Sequence, residues 1–191
     1  LVDQIVSGET SLEQAPKGTT ATILFSDLAG FTDLSGQLRA TKLARVLNEY
    51  LEVMNEIIFD HGGTVDKFIG DAIMVIFGAP TERSTREQAD QAARCAQAMQ
   101  AAMVDLNREW GNEGIPNLKM RIGIHQGPLV VGTFGSELRS DYTAIGPTVN
   151  MASRIEGACP PGEVLISGEL CDLLPEDLAE DAGSFRLKGI D

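Results

Sequence analysis

The chain has 191 residues, enough for one domain with a sizeable core and a short extension. Its 28 acidic residues against 15 basic ones give a formal charge of −13, which argues against nucleic acid or an anionic membrane as a partner. Apolar residues at 43% and charged residues at 23% describe a globular chain rather than a disordered one, and the longest mostly apolar run, residues 72–80, is far too short to span a bilayer.

Residues 1–18 have mixed polarity and end in Pro16-Lys17-Gly18, which reads as a linker from an upstream regulatory region into a domain over 19–191. The first residues carry no signal-peptide pattern, and Cys95, Cys159 and Cys171 form no CxxC pair. Scattered thiols suit a reducing compartment, so the cytoplasm is the expected location.

Residues 20–26 (TATILFS) are rich in β-formers and run into Asp27, predicting a strand, and Gly30 permits a tight turn after it. Leu43, Val46, Leu47, Tyr50, Leu51, Met54, Ile57 and Ile58 then recur with helical period, and Gly62-Gly63 ends that helix. Residues 64–69 and 72–77 read as two strands separated only by Gly70-Asp71, a hairpin signal. After a loop over 80–85, Ala89, Ala92, Ala93, Ala96, Met99, Met103, Leu106 and Trp110 mark one face of a second helix. Residues 118–125 form the next predicted strand. The order β-α-β-β-α-β is the ferredoxin-like arrangement. Further strands are predicted at 129–134 and 141–144, a short helix at 148–157, a strand at 164–167, a helical turn near Leu170 and a last strand near 185–188. The expected fold is therefore α+β, a ferredoxin-like core with C-terminal strand and helix additions.

That topology makes the first and third strands antiparallel neighbours, so the end of one lies beside the start of the other. Asp27 and Asp71 should then face each other at one edge of the sheet. Either aspartate alone reads most simply as a turn former. Together they suit hard cations, since Mg²⁺ prefers one or two carboxylates plus phosphate oxygens.

Three segments carry a family resemblance. Phe25-Ser26-Asp27-Leu28-Ala29-Gly30-Phe31-Thr32 resembles the first metal motif of the class III nucleotidyl cyclases, and Asp66-Lys67-Phe68-Ile69-Gly70-Asp71 resembles their second. Thr143-Ala144-Ile145-Gly146-Pro147-Thr148-Val149-Asn150-Met151-Ala152-Ser153-Arg154 resembles the third. The resemblance implies that Asp27 and Asp71 hold two Mg²⁺ or Mn²⁺ ions per site, with the backbone carbonyl of Leu28 assisting. It implies that Lys67 and Thr143 read the purine, that Asn150 orients the ribose, and that Arg154 stabilises charge on the reacting phosphate. Lys188, in Leu187-Lys188-Gly189, matches a lysine on the terminal phosphates, and Phe31 falls with the nucleotide-binding residues of the first motif. A further arginine of some relatives aligns with Leu138, beside Arg139, so Arg139 receives no role.

The residues support parts of this. Asn150 and Arg154 are four apart and share a helical face. A guanidinium matches a phosphate bidentately and stays charged at any working pH. Adenine offers an acceptor at N1 and a donor at N6, and guanine offers the reverse. Lysine is donor-only, while a threonine hydroxyl donates or accepts, so chemistry alone leaves the base open. The resemblance favours adenine, because guanylyl members carry Glu and Cys at these places and adenylyl members Lys with Asp, Thr or Ser. The threonine form is similar to a bicarbonate-responsive branch, which makes bicarbonate an expected activator.

Other chemistries find no footing. There is no Gly-Lys dipeptide and hence no P-loop, no HExxH, and no GxGxxG. His61 and His125 read as surface and structural residues. The expected activity is conversion of ATP to 3′,5′-cyclic AMP and pyrophosphate in a homodimer with two shared active sites, without nucleic-acid or membrane contact by this segment. The alternatives are a non-catalytic nucleotide-binding or dimerisation module and a guanylyl cyclase.

Overall fold

The computed structural model describes residues 15–136, 139–176, 178–185 and 187. In chain order these form β1 (Lys17–Ala29), α1 (Phe31–Gln37), α2 (Ala40–Asp60), β2 (Thr64–Ile69), β3 (Ala72–Phe77), α3 (Thr85–Asn112), β4 (Lys119–Ser136), β5 (Arg139–Ile145), α4 (Pro147–Ala158), β6 (Val164–Ile166) and α5 (Gly168–Cys171). The strands make one sheet in the order β2-β3-β1-β4-β5, with β6 pairing parallel to β4. The α+β ferredoxin-like core with C-terminal additions is thus the fold of the chain.

Two-residue alternation sorts each strand between two cores. Leu24 and Leu28 of β1, Ile73, Val75 and Phe77 of β3, and Met120, Ile122 and Ile124 of β4 face α2 and α3 in the main core. Ala21 and Ile23, Met74 and Ile76, and Leu129 and Val131 face a smaller core that holds Ala152 of α4. On α2 the buried stripe is Val46, Tyr50, Met54 and Ile58, four residues apart each time. On α3 small alanines let the helix lie close to the sheet, and Trp110 closes the far end, its Nε1 donating to Glu49 Oε2 at 2.9 Å. Ser84 and Glu87 form a capping box at the start of α3, satisfying two backbone N–H groups that a helix end leaves free. No helix among the described residues is long and apolar enough to cross a membrane.

Three expectations are corrected. The strands predicted at 118–125 and 129–134 are one strand, β4. Gly127-Pro128 has the look of a break, yet Pro128 sits exposed opposite Thr20 in the β1 ladder. Gly127 instead makes room for α4: a Cβ there would stand 2.8 Å from Thr148 Oγ1. Helix α1 is absent from the predicted elements, since its only buried side chains are Phe31 and Leu34. At the predicted last strand, Phe185 and Leu187 carry no strand, and Arg186 and Lys188 lie outside the described residues. The histidines are also tied in: His61 Nδ1 lies 2.7 Å from Ile57 O, and His125 Nδ1 lies 2.8 Å from Ser167 Oγ.

Candidate active site

Asp27 follows Ile23 and Phe25 in the β1 alternation, so it lies on the α4 side of the sheet. The β2–β3 hairpin comes alongside it. Gly70 takes φ 65° and, among the described residues, no non-glycine residue has positive φ, which is the pattern of a two-residue turn with glycine first. Asp71 is the second residue of that turn, and its Oδ2 accepts the Leu28 N–H at 2.9 Å. The antiparallel β1–β3 ladder, with Ser26 opposite Ile73, therefore delivers the two carboxylates to one edge of the sheet. Burial pushes the Asp71 carboxyl above its usual value, and the charge of Asp27 adds to this against the Leu28 N–H and Arg121.

Two further charged groups complete the cluster, and sequence reasoning missed both. Arg121 lies opposite Asp27 in the β1–β4 register, and its Nη2 donates to Asp27 Oδ2 at 2.6 Å. Glu156 enters from α4 with its Oε1 3.3 Å from Arg121 Nε. Burial raises the Glu156 carboxyl above its usual range, and the charges of Asp27 and Asp71 raise it further. Arg121 is held above its ordinary value although burial opposes this, because Asp27 and then Glu156 stabilise its charge. Arg121 Nε and Glu156 Oε1 are both buried without a hydrogen-bond partner. Three carboxylates thus surround one guanidinium in a half-buried place, with polar atoms left over.

A hard divalent cation fits that donor set. Among the described residues no group of three or more His, Cys, Asp and Glu side chains is arranged to hold an ion by itself. Asp27 and Asp71 would supply two carboxylate ligands, leaving the other positions to phosphate oxygens and water, as Mg²⁺ prefers. Leu28 follows Asp27 in β1.

Lys67 and Thr143 also come together, although they lie on β2 and β5 at opposite ends of the strand order. The sheet curls over the smaller core until Asp66 reaches β5. The side chain of Asp66 is 1% exposed; its Oδ2 accepts the Thr143 hydroxyl at 2.5 Å and the Ala144 N–H at 3.3 Å, while Oδ1 lies 3.3 Å from Lys67 Nζ. Asp66 is the third charged residue of these clusters that sequence reasoning passed over, although it stands beside Lys67 in the second motif.

Asn150 and Arg154 lie on the exposed face of α4, opposite buried Thr148, Ala152 and Ile155. Arg154 is two residues before Glu156, about 200° around the helix. Glu156 turns in toward Arg121, while Arg154 lies on the exposed face of the helix. Phe31 opens α1 and packs into the main core. Arg139 begins β5. Lys188 lies outside the described residues.

Comparison with known proteins gives a consistent picture. Residues 13–190 match the family model described as the adenylate and guanylate cyclase catalytic domain. The chain is 43% identical over 140 residues to an adenylate cyclase of Anabaena cylindrica, a match covering 71% of this chain and 26% of that protein. It is similar to the crystal structure of the adenylyl cyclase CyaB from P. aeruginosa, with TM-score 0.89 and 41% identity over 93% of this chain and 91% of that one. The crystal structure of the guanylyl cyclase Cya2 superposes with TM-score 0.86 and 37% identity, covering 93% of this chain and 89% of that one. The chain spans about a quarter of the length of the Anabaena relative.

Proposed function

The chain belongs to the adenylate and guanylate cyclase catalytic-domain family, and on that premise we propose that it converts ATP to 3′,5′-cyclic AMP and pyrophosphate at sites shared between two copies of itself. The observation that carries this reading is the meeting of Asp27, Asp71, Arg121 and Glu156 at one sheet edge, with Asn150 and Arg154 on the exposed face of α4. In a two-fold pair the Asp27 and Asp71 cluster of one protomer would take Lys67, Thr143, Asn150 and Arg154 from the other. Both halves are encoded in one sequence, so a homodimer has two complete sites.

In the reaction the ribose 3′-oxygen attacks the α-phosphorus in line. A bond forms between them, the bond from the α-phosphorus to the bridging oxygen breaks, pyrophosphate leaves, and the 3′-hydroxyl proton passes to solvent. Two divalent cations held by Asp27, Asp71 and the Leu28 carbonyl would supply charge neutralisation at the attacking and leaving oxygens. Arg121 can exchange Asp27 for a phosphate oxygen of the incoming nucleotide, since a guanidinium binds either anion by the same fork. Arg154 faces the α-phosphate, Asn150 the ribose, and Lys188 the terminal phosphates. Phe31 acts from the core, fixing the chain that turns beneath the phosphates. Lys67 and Thr143 receive the adenine edge. No protein nucleophile is required.

The test is purified domain with Mn²⁺, given ATP and GTP side by side, with cyclic AMP and cyclic GMP measured at several protein concentrations. Cyclic AMP with specific activity rising with concentration supports the reading. Preference for GTP points to a guanylyl cyclase, and inactivity at every concentration to a non-catalytic module. Thr143 also supports bicarbonate as an activator, which a titration at fixed pH and ionic strength tests against chloride. An upstream regulatory region would act through residues 1–18.

A further inference from the structure

Building on the adenylyl reading above, we propose that Asp66 sets which purine the site accepts. By taking the Thr143 hydroxyl proton into a hydrogen bond, it leaves that hydroxyl as an acceptor toward the base. An acceptor suits the C6 amino group of adenine and opposes the C6 carbonyl of guanine.

Strand β2 is irregular at this point. The β2–β3 register shifts between Val65 and Lys67, which makes Asp66 the extra residue of a bulge. A bulge re-aims a side chain that an even ladder would send elsewhere. Here it sends a carboxylate across the curled sheet to Thr143, where the side chain is 1% exposed. A carboxylate so buried requires partners, and this one has three. The Ala144 N–H donates to the same Oδ2 as Thr143, which pins the carboxylate to the β5 backbone.

A threonine hydroxyl has one proton and two lone pairs. An ionised carboxylate only accepts, so the proton in the 2.5 Å contact belongs to Thr143. What remains for a ligand is lone pairs alone. The other oxygen of Asp66 holds the Lys67 ammonium at 3.3 Å, with further Lys67 protons left over. The pair therefore presents one acceptor and one donor. Adenine, with a donor at N6 and an acceptor at N1, complements both. Guanine meets an acceptor with its O6 and a donor with its N1–H, which is a mismatch at each position. Asp66 thus removes the ambiguity that a lone threonine would leave, and it is a positioning residue acting through Thr143 and Lys67.

The test compares kcat/KM for ATP, GTP and inosine triphosphate in the wild-type domain and in Asp66→Ala. Inosine triphosphate shares guanine's N1 and C6 edge without its C2 amino group, so it isolates the edge in question. With the carboxylate gone, the Thr143 hydroxyl has no acceptor at that side and its proton is free toward the base; an asparagine would not do this, because the Ala144 N–H holds an acceptor oxygen at the same place. The expected result is a fall of about tenfold or more in the ATP to inosine triphosphate ratio, mostly through KM for ATP. In a Thr143→Val background the same change should leave the ratio where Thr143→Val alone puts it. A purely structural role would lower kcat/KM for all three nucleotides in proportion, and that outcome overturns the proposal. If Asp66→Ala does not fold, Thr143→Ser should keep the ATP preference and Thr143→Val should lose it. A valine variant with wild-type selectivity overturns the proposal equally. Wild-type preference for GTP overturns the adenylyl reading and this proposal together. Wild-type preference for ATP with an unchanged ratio in Asp66→Ala overturns the role of Asp66 alone.

Discussion

Arg121 and Asp27 are cross-strand partners joined by a 2.6 Å hydrogen bond, and each side chain is 27% exposed. The guanidinium charge also bears on Asp71 and Glu156. Arg121→Gln leaves those carboxylates facing one another. It should lower the stability of the domain by about 1–3 kcal/mol, read from urea unfolding. Magnesium chloride should return part of the loss where sodium chloride of equal ionic strength does not, because ten times the Kd of a native-state ligand adds about 1.4 kcal/mol. Unchanged stability in the variant counts against the cluster.

Asp71→Asn should abolish cyclic AMP formation and leave the metal-free domain as stable as wild type or more so. The sign follows from the raised Asp71 carboxyl. Such a group contributes most stability below its unfolded value, near 3.8, and loses that contribution as pH rises through its folded value. Below that window wild type and variant should unfold alike. Above it the variant should gain on wild type, since the substituted amide carries no charge to desolvate. Paired unfolding curves between pH 3 and 7 check this, and a gap that narrows as pH rises contradicts it.

The chains Asp27→Ala and Asn150→Ala should each be inactive alone. Mixed and allowed to exchange, half of the dimers are heterodimers with one intact site of two, so about a quarter of wild-type activity should return. A mixture that stays dead although heterodimers are seen by mass spectrometry removes the shared-site model.

Gly123→Ala should both destabilise the domain and slow turnover. An ideal Cβ at this position would stand 2.1 Å from the Glu156 backbone nitrogen, and real Cβ contacts do not come below 3.0 Å. The helix must therefore move, which costs about 1–3 kcal/mol as overpacking and displaces Glu156, Asn150 and Arg154 together. Thermal unfolding and kcat measured on the same preparation read both effects.

How much was legible in the sequence depended on how local the cause was. The α2 stripe Val46, Tyr50, Met54 and Ile58 and the Gly70-Asp71 hairpin are written in spacing and turn chemistry, and both stand where spacing puts them. The meeting of Asp27 and Asp71 followed from the topology alone. Pro128 misled because its missing N–H usually ends a strand, while here it lies exposed within β4. Helix α1 (FTDLSGQ) offers Thr32, Ser35 and Gly36 as poor helix formers and only Phe31 and Leu34 as anchors. Arg121, Glu156 and Asp66 were hidden for a different reason. Arg121 matters through the register that sets it opposite Asp27, Glu156 through the docking of α4, and Asp66 through a bulge and a curl of the sheet. None of these is a property of a short stretch of chain.

The close seam at Gly123 reaches further than one protomer. It leaves little room between α4 and β4, so the strand bearing Arg121 and the helix bearing Asn150 and Arg154 should move together. In a two-fold pair that body has a foot in each catalytic centre, Arg121 in its own and Asn150 with Arg154 in the partner's. Nucleotide seated in one centre should therefore shift the floor of the other. The dependence of rate on ATP should depart from a simple hyperbola, toward half-of-the-sites behaviour or a Hill coefficient other than unity. Loosening that seam should make the two centres independent of each other.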